Sequence, residues 1–98
     1  MEMIKKQEGN CLQVSLIGRL DTSTAPELEQ LITNELDNIT EFVLDFEKLE
    51  YISSAGLRVL LAAQKKMNRQ GSMKLLHVTA GVMEVFEITG FVDVLTIE

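Results

Sequence analysis

Two adjacent serines, Ser53 and Ser54, are the side chains of this sequence best placed to do chemistry. They follow the extended pair Tyr51-Ile52 and begin a run that is apolar at nearly every position as far as Ala63. This pattern puts two hydroxyls at the first turn of a helix, where backbone N–H groups lack helical partners and the helix dipole is positive. A phosphate on such a serine would be accepted without disturbing the fold.

A structural role competes with phosphorylation at this position. A serine at a helix N-terminus often accepts a hydrogen bond from a free backbone amide, which stabilises the helix by about 1 kcal/mol. One serine is enough for that role, so a second hydroxyl stays available. Arg58 lies within helical reach of a phosphate on Ser54, and Gly56 leaves room for close approach by another backbone. The residues alone leave both roles open.

Other kinds of active site have little support. One cysteine, Cys11, excludes an internal disulfide, and one histidine, His77, excludes a histidine-rich metal site. We expect His77 to be a packed residue within a strand. Ser54 lacks the preceding glycine of Gly-x-Ser-x-Gly, and neither common glycine-rich nucleotide loop occurs. We therefore expect no enzyme activity, no metal and no cofactor, although a weak nucleotide site at the helix terminus stays open.

Length and composition are typical of one domain that spans residues 1–98. The net charge of −6 argues against general nucleic-acid binding and against an anionic membrane surface. Residues 1–50 hold eleven of the fifteen acidic side chains, which fits either a basic partner or an ordinary solvated face. No apolar run approaches the roughly 20 residues of a membrane span, and the first residues do not resemble a secretory signal. We expect a cytoplasmic protein without a membrane partner.

Hydrophobic periodicity predicts strands that alternate with helices. In order, we expect strands at 3–7 and 11–17, a helix at 25–37, a strand at 41–46, an extended piece at 51–52, a helix at 55–70, a strand at 73–78, a helix between 79 and 90, and a strand at 92–97. This order implies an α/β domain: a mixed, mostly parallel sheet with an N-terminal hairpin and about three main helices.

Several residues are predicted to begin or end these helices. Thr24 and Glu27 have the spacing of a capping box, and Thr79 can cap the third helix. Gly71 and Gly90 suit the C-terminal ends of the second and third helices. In largely parallel sheets, partners meet the loops at the carboxyl ends of strands, which here start at Asp21, Ser53 and Thr79.

Two motifs resemble the signature of the STAS-domain anti-sigma factor antagonists. The first is residues 43–46 followed by residues 51–57, Tyr-Ile-Ser-Ser-Ala-Gly-Leu. The second is residues 18–21, Gly-Arg-Leu-Asp, followed by residues 24–28, Thr-Ala-Pro-Glu-Leu, which is similar to the first-loop motif of that family. The resemblance spans nearly the whole chain and implies the STAS fold.

The resemblance implies that Ser54 is the phosphorylated serine. Ser53 stands where many members have Asp, and it is an alternative phosphate acceptor. Ala55 stands where Ser or Thr is frequent, which removes one further candidate acceptor. Asp21 matches the first-loop acid of the family, although aspartate also stabilises turns. Leu57 belongs to the matched motif but is also suited to the hydrophobic core. The expected partner-binding surface consists of Asp21, Thr22, Ser53, Ser54, Ala55, Gly56, Leu57 and Arg58.

The resemblance also implies a function by partner switching. The unmodified protein would bind an anti-sigma factor that is itself a serine kinase, and so release the sigma factor. Phosphorylation of Ser54 would end that binding, and a PP2C-type phosphatase would restore it. The alternative is a standalone STAS docking subunit of a transport or stress-sensing complex, without a phosphate cycle.

Overall fold

Five strands and three helices make up most of the computed structural model, which describes all residues from Met1 to Glu98. The elements are β1 (Glu2–Glu8), β2 (Cys11–Leu20), α1 (Ala25–Glu35), β3 (Glu41–Asp45), β4 (Leu49–Ile52), α2 (Ser54–Gln70), β5 (Ser72–Leu76) and α3 (Ala80–Thr89), followed by a short 3₁₀ helix (Phe91–Asp93). The predicted α/β class is confirmed. None of the helices has the length and hydrophobicity that crossing a membrane requires.

The sheet is mixed and mostly parallel, with the order β1-β2-β3-β5. β1 and β2 form the predicted antiparallel hairpin, while β2, β3 and β5 run parallel to one another. The short strand β4 pairs in parallel with the end of β2, and the register shifts between Gly18 and Arg19. β2 thus pairs with β3 along its first half and with β4 along its last residues.

One hydrophobic core joins the sheet to the helices. In β2, Leu12, Val14 and Leu16 are buried and the residues between them are half-buried, as expected for a strand with one covered face. Leu60 of α2 and Phe86 of α3 belong to the same buried cluster, to which α1 also contributes. The helices therefore hold the ends of the parallel strands in fixed positions.

The end of α1 is held by a side chain from α2. The Gln70 Nε2 group donates to the carbonyl oxygens of Leu36 and Ile39, at 2.5 and 2.7 Å. The last carbonyl groups of a helix have no partner within it, so this contact satisfies part of an otherwise open helix end. α1 stops at Glu35, two residues earlier than the sequence predicted.

The predicted capping box at the start of α1 is wrong. Thr24 occupies the N-cap position, but its side chain makes no capping hydrogen bond. Its hydroxyl instead donates to the Arg19 carbonyl oxygen at 2.7 Å and accepts from the Asp21 amide at 2.8 Å. Thr24 thus links the loop to the end of β2 instead of capping α1. Thr79 likewise stands at the N-cap of α3 without a capping bond from its side chain.

Two predictions near the C-terminus are also wrong. No regular strand forms at 92–97: only Ile97 bridges to Leu75, because Phe91–Asp93 form a 3₁₀ helix and the amides of Val94 and Leu95 continue its turn by donating to the Phe91 carbonyl oxygen. His77 is not packed within a strand either. β5 ends at Leu76, and His77 is exposed with a φ of 55°, so the chain turns away from the sheet there. Gly90 does end α3, in the left-handed conformation.

Replacing Gly71 with alanine tests the contact that ends α2. A Cβ atom at Gly71 would overlap the carbonyl oxygen of Thr40, which is backbone and cannot rotate away. We expect Gly71→Ala to lower the free energy of unfolding by about 1–3 kcal/mol. Gly81→Ala is the matched control, because a Cβ there meets no atom within 4 Å and alanine is the better helix former. Equal urea midpoints for the two variants would contradict this account.

Candidate functional site

Ser53 carries the structural role at the start of α2. Its backbone is extended, and its Oγ accepts a hydrogen bond from the Gly56 amide at 3.5 Å. The Ser53 amide donates to the Leu20 carbonyl oxygen at 2.9 Å, and its own carbonyl oxygen accepts from the Leu57 amide at 2.9 Å. Ser53 is therefore the N-cap of α2, and it also links the helix to the end of β2.

Ser54 is the first residue of α2 and is exposed. Its hydroxyl has no hydrogen-bond partner, and the backbone amides of Ser54 and Ala55 have none either. Unbonded amides at the positive end of a helix dipole favour an anion at this position. Of the two serines, Ser54 is thus the exposed one whose hydroxyl has no partner within the chain.

The loop after β2 is organised around the carboxylate of Asp21. Its Oδ1 accepts from the Ser23 hydroxyl at 2.8 Å, from the Ser23 amide at 3.0 Å and from the Thr24 amide at 3.2 Å. These hydrogen bonds, above all the one from the Ser23 side chain, lower the pKa of Asp21 below 3.8 against the opposing effect of desolvation. The structure therefore gives Asp21 the turn-forming role that the sequence held open.

Arg19 joins this loop to β4. Its guanidinium lies 4.3 Å from the ring centroid of Tyr51, and its Nε lies 3.8 Å from the Asp21 Oδ2 atom. Cations are attracted to aromatic faces at such distances. Sequence reasoning missed this contact, because it depends on the register that places Arg19 opposite Tyr51 in the β2–β4 pair.

The two predicted regions meet in a shallow groove between the starts of α1 and α2. Its volume is about 290 Å³, and Thr22 of the first loop faces Ala55 and Arg58 of α2 across it. The remaining lining residues are Ala25, Pro26, Glu29 and Val59. Arg58 is exposed and makes no ion pair or hydrogen bond with the rest of the chain.

Gly56 and Leu57 lie beneath this surface. A Cβ atom on Gly56 would come within 2.8 Å of the Leu20 Cγ atom and 3.0 Å of the Leu20 carbonyl oxygen. The sequence predicted close approach by another backbone at Gly56, and the backbone that approaches is that of β2 in this same chain. Leu57 is only 6% exposed and belongs to the core.

The third loop at this edge of the sheet is held to β3 and β4. The His77 Nδ1 atom is 3.1 Å from the Asp45 Oδ1 atom, which also accepts from the Glu47 amide at 3.0 Å. The Thr79 hydroxyl donates to the Leu49 carbonyl oxygen at 3.5 Å. Neither residue lines the groove between α1 and α2. The pair of His77 and Asp45 was not predicted, since the sequence placed His77 inside a strand.

Comparison with known proteins identifies the family. The STAS domain family model matches residues 2–98. A Bordetella bronchiseptica protein assigned as the anti-sigma factor antagonist BtrV is 40% identical over 86 residues, which cover 86% of this chain and 71% of that protein. The anti-sigma-B factor antagonist of Bacillus subtilis is 29% identical over 93 residues, which cover 94% of this chain and 85% of that protein.

Solved structures show the same fold. The anti-sigma factor antagonist SpoIIAA in its unphosphorylated form aligns with a TM-score of 0.79 at 17% identity, covering 99% of this chain and 87% of SpoIIAA. The phosphorylated form of SpoIIAA from Bacillus aligns with a TM-score of 0.77 at 18% identity, covering 99% of this chain and 91% of that structure. The chain therefore belongs to the STAS domain family and, within it, to the anti-sigma factor antagonists. The resemblance in the two sequence motifs is confirmed.

Removing the Ser23 hydroxyl tests the organisation of the first loop. We expect Ser23→Ala to raise the pKa of Asp21 toward 3.8, because the largest cause of its lowering is lost. Since the pKa is lower in the folded protein, the stabilisation from Asp21 is present above pH 3.8 and is lost as the pH falls through the folded-state value. The checks are a carboxyl ¹³C titration of Asp21 and urea unfolding at neutral pH and at about pH 3. Thr33→Ala, on the exposed face of α1, is the control, and an unchanged Asp21 titration in Ser23→Ala would contradict this reading.

Proposed function

We propose that this chain is a phosphorylation-controlled partner switch. The unmodified form binds an anti-sigma factor that is also a serine kinase, and the sigma factor is released. Phosphorylation of Ser54 ends the binding, and a PP2C-type phosphatase restores it. The observation that carries this proposal is the free, exposed hydroxyl of Ser54 on the first turn of α2, beside a second serine that already serves as the cap.

The relatives support this function in two ways. The Bacillus subtilis relative is named as an antagonist of an anti-sigma-B factor, a name that describes a binding role. SpoIIAA, which shares the fold, has been solved in phosphorylated and unphosphorylated forms. A fold of this kind therefore tolerates a phosphate. This chain would be a substrate of the kinase and a binding partner, and it would catalyse no reaction itself.

The proposed docking surface follows the groove between α1 and α2. It combines Thr22, Ala55 and Arg58, which line the groove, with Asp21 and Ser54, which directly precede Thr22 and Ala55 in the sequence and do not line it. Thr22, Ser54 and Arg58 are exposed, and Asp21 and Ala55 are half-buried. A partner that covers this surface would cover the Ser54 hydroxyl. Because the proposed partner is itself a kinase, the same contact would present the Ser54 hydroxyl to the kinase.

Three other residues of the predicted surface are less exposed and support it structurally. Ser53 is half-buried and caps α2, and Gly56 and Leu57 are buried. Their contribution is to hold the first turn of α2 against β2, so that Ser54 keeps its position. A contact of these residues with the partner stays a prediction.

Phosphorylation changes this surface by charge and by volume. A phosphate adds about −1.5 to −2 charges and three acceptor oxygens. In an interface these groups would have to be desolvated or would keep the partner at a distance. A loss of about 4 kcal/mol in binding free energy weakens the affinity about a thousandfold. The switch needs no change of fold.

Two substitutions at Ser54 test the function. We expect Ser54→Ala to bind the anti-sigma kinase with unchanged affinity and to resist release by ATP, because the acceptor is missing. We expect Ser54→Asp to bind poorly, although one carboxylate imitates a phosphate incompletely. Ser72→Asp is the matched control, since Ser72 is exposed at the opposite end of the sheet, at the start of β5. Calorimetric titration gives the affinities, and tight binding by Ser54→Asp would place Ser54 outside the interface.

The native state of modification gives a direct test. Protein purified from its host is examined by intact mass and peptide mapping. A phosphate located on Ser54 within its peptide supports the switch. A phosphate located only on Ser53 would move the acceptor by one residue. Stable complexes with a transporter or stress-sensing assembly, together with a chain that kinase and ATP leave unmodified, would instead support the docking subunit without a phosphate cycle.

Amide spectra of the two forms test whether the switch is local. We expect phosphorylation to shift the signals of the first turn of α2 and of the loop after β2, because these segments surround the phosphate. Signals of α3 and of the C-terminal residues 91–98 are expected to stay in place. Changes that spread through those elements would show that the phosphate acts by rearranging the fold and not by blocking the surface.

A further inference from the structure

We propose that Arg58 binds the phosphate on Ser54 within the same helix, so that phosphorylation withdraws Arg58 from the docking surface. This inference rests on the proposed function, because it describes the phosphorylated form of the same site. It adds a second component to the switch. The phosphate blocks the surface by its bulk, and it also takes up a cation that the unmodified chain leaves free for a partner.

The geometry of α2 places the two residues together. Ser54 is the first residue of α2 and Arg58 the fifth. Residues four apart on a helix lie on one face, with Cβ atoms about 5–6 Å from each other. Both side chains are exposed. A guanidinium donates two parallel hydrogen bonds to a phosphate, which is among the strongest polar contacts in proteins.

Arg58 is free to make this contact. It has no ion pair, whereas Arg19, the other arginine near the site, is held by Tyr51 and Asp21. Asp21 itself accepts from Ser23 and Thr24 and so does not compete for Arg58.

Donors on both sides would surround the phosphate. The unbonded amides of Ser54 and Ala55 lie at the end of the helix, and the guanidinium of Arg58 lies one turn further on. Glu29 of α1 lines the same groove as Arg58 without forming an ion pair with it. Glu29 would compete for the guanidinium and repel the phosphate, so its removal is expected to strengthen the contact.

The test uses a chain that carries genetically encoded phosphoserine at position 54 and therefore needs no kinase. We expect the midpoint of its ³¹P titration to lie lower than in the same chain with Arg58→Gln by about half a pH unit, because the guanidinium favours the dianion. Glu29→Gln is expected to lower the midpoint further, and salt at about 1 M is expected to reduce the difference between wild type and Arg58→Gln. A shift of the Arg58 Nε–H signal on phosphorylation gives a second readout.

Arg69→Gln is the matched control, because Arg69 is an exposed arginine at the far end of the same helix. Equal ³¹P midpoints in wild type and Arg58→Gln, or an equal shift caused by Arg69→Gln, would overturn the inference. Neither result would bear on the switch itself, which fails only if Ser54 is unmodified in the host or if phosphoserine leaves partner affinity unchanged. The two failures are thereby distinguishable.

Discussion

The docking of the first turn of α2 onto the end of β2 is the contact on which the rest of the site depends. The Ser53 amide donates to the Leu20 carbonyl oxygen, and Gly56 packs where a larger residue would collide with Leu20 and Ile52. Because the hydrogen bond joins two backbone groups and Gly56 has no side chain, this link does not depend on side-chain rotamers at the start of α2. A surface held in this way can gain or lose a charged group while the scaffold beneath it stays unchanged.

Polar groups without hydrogen-bond partners distinguish the site better than the residue types present do. Ser53 caps α2, and the Asp21 carboxylate accepts hydrogen bonds from Ser23 and Thr24 inside its own loop. The Ser54 hydroxyl and the Arg58 guanidinium have no partner in the chain. Exposed groups of this kind are satisfied by water, so they cost the fold nothing and remain available to a partner or a phosphate.

Local sequence patterns were sufficient for the hairpin, the alternation of strands and helices and the place of the two serines at the start of a helix. They could not decide which serine caps α2, because either side chain can do so, and the outcome depends on the angle at which the chain leaves β4. The Arg19–Tyr51 contact was also out of reach, since it follows from strand register across an irregularity. The apolar residues after Gly90 have the composition of a strand, but the chain forms a 3₁₀ helix at Phe91–Asp93 and turns as far as Leu95.

The stacked Arg19–Tyr51 pair gives the molecule a native optical reporter. Tyr51 is the one tyrosine of a chain without tryptophan. The residue is 41% exposed, and the Arg19 guanidinium lies over one face of its ring. Its ultraviolet emission therefore arises from a single place, three residues before Ser54. A macromolecule that displaces Arg19 or shields the ring would alter that emission, so events at this edge of the domain can be followed in the unlabelled protein.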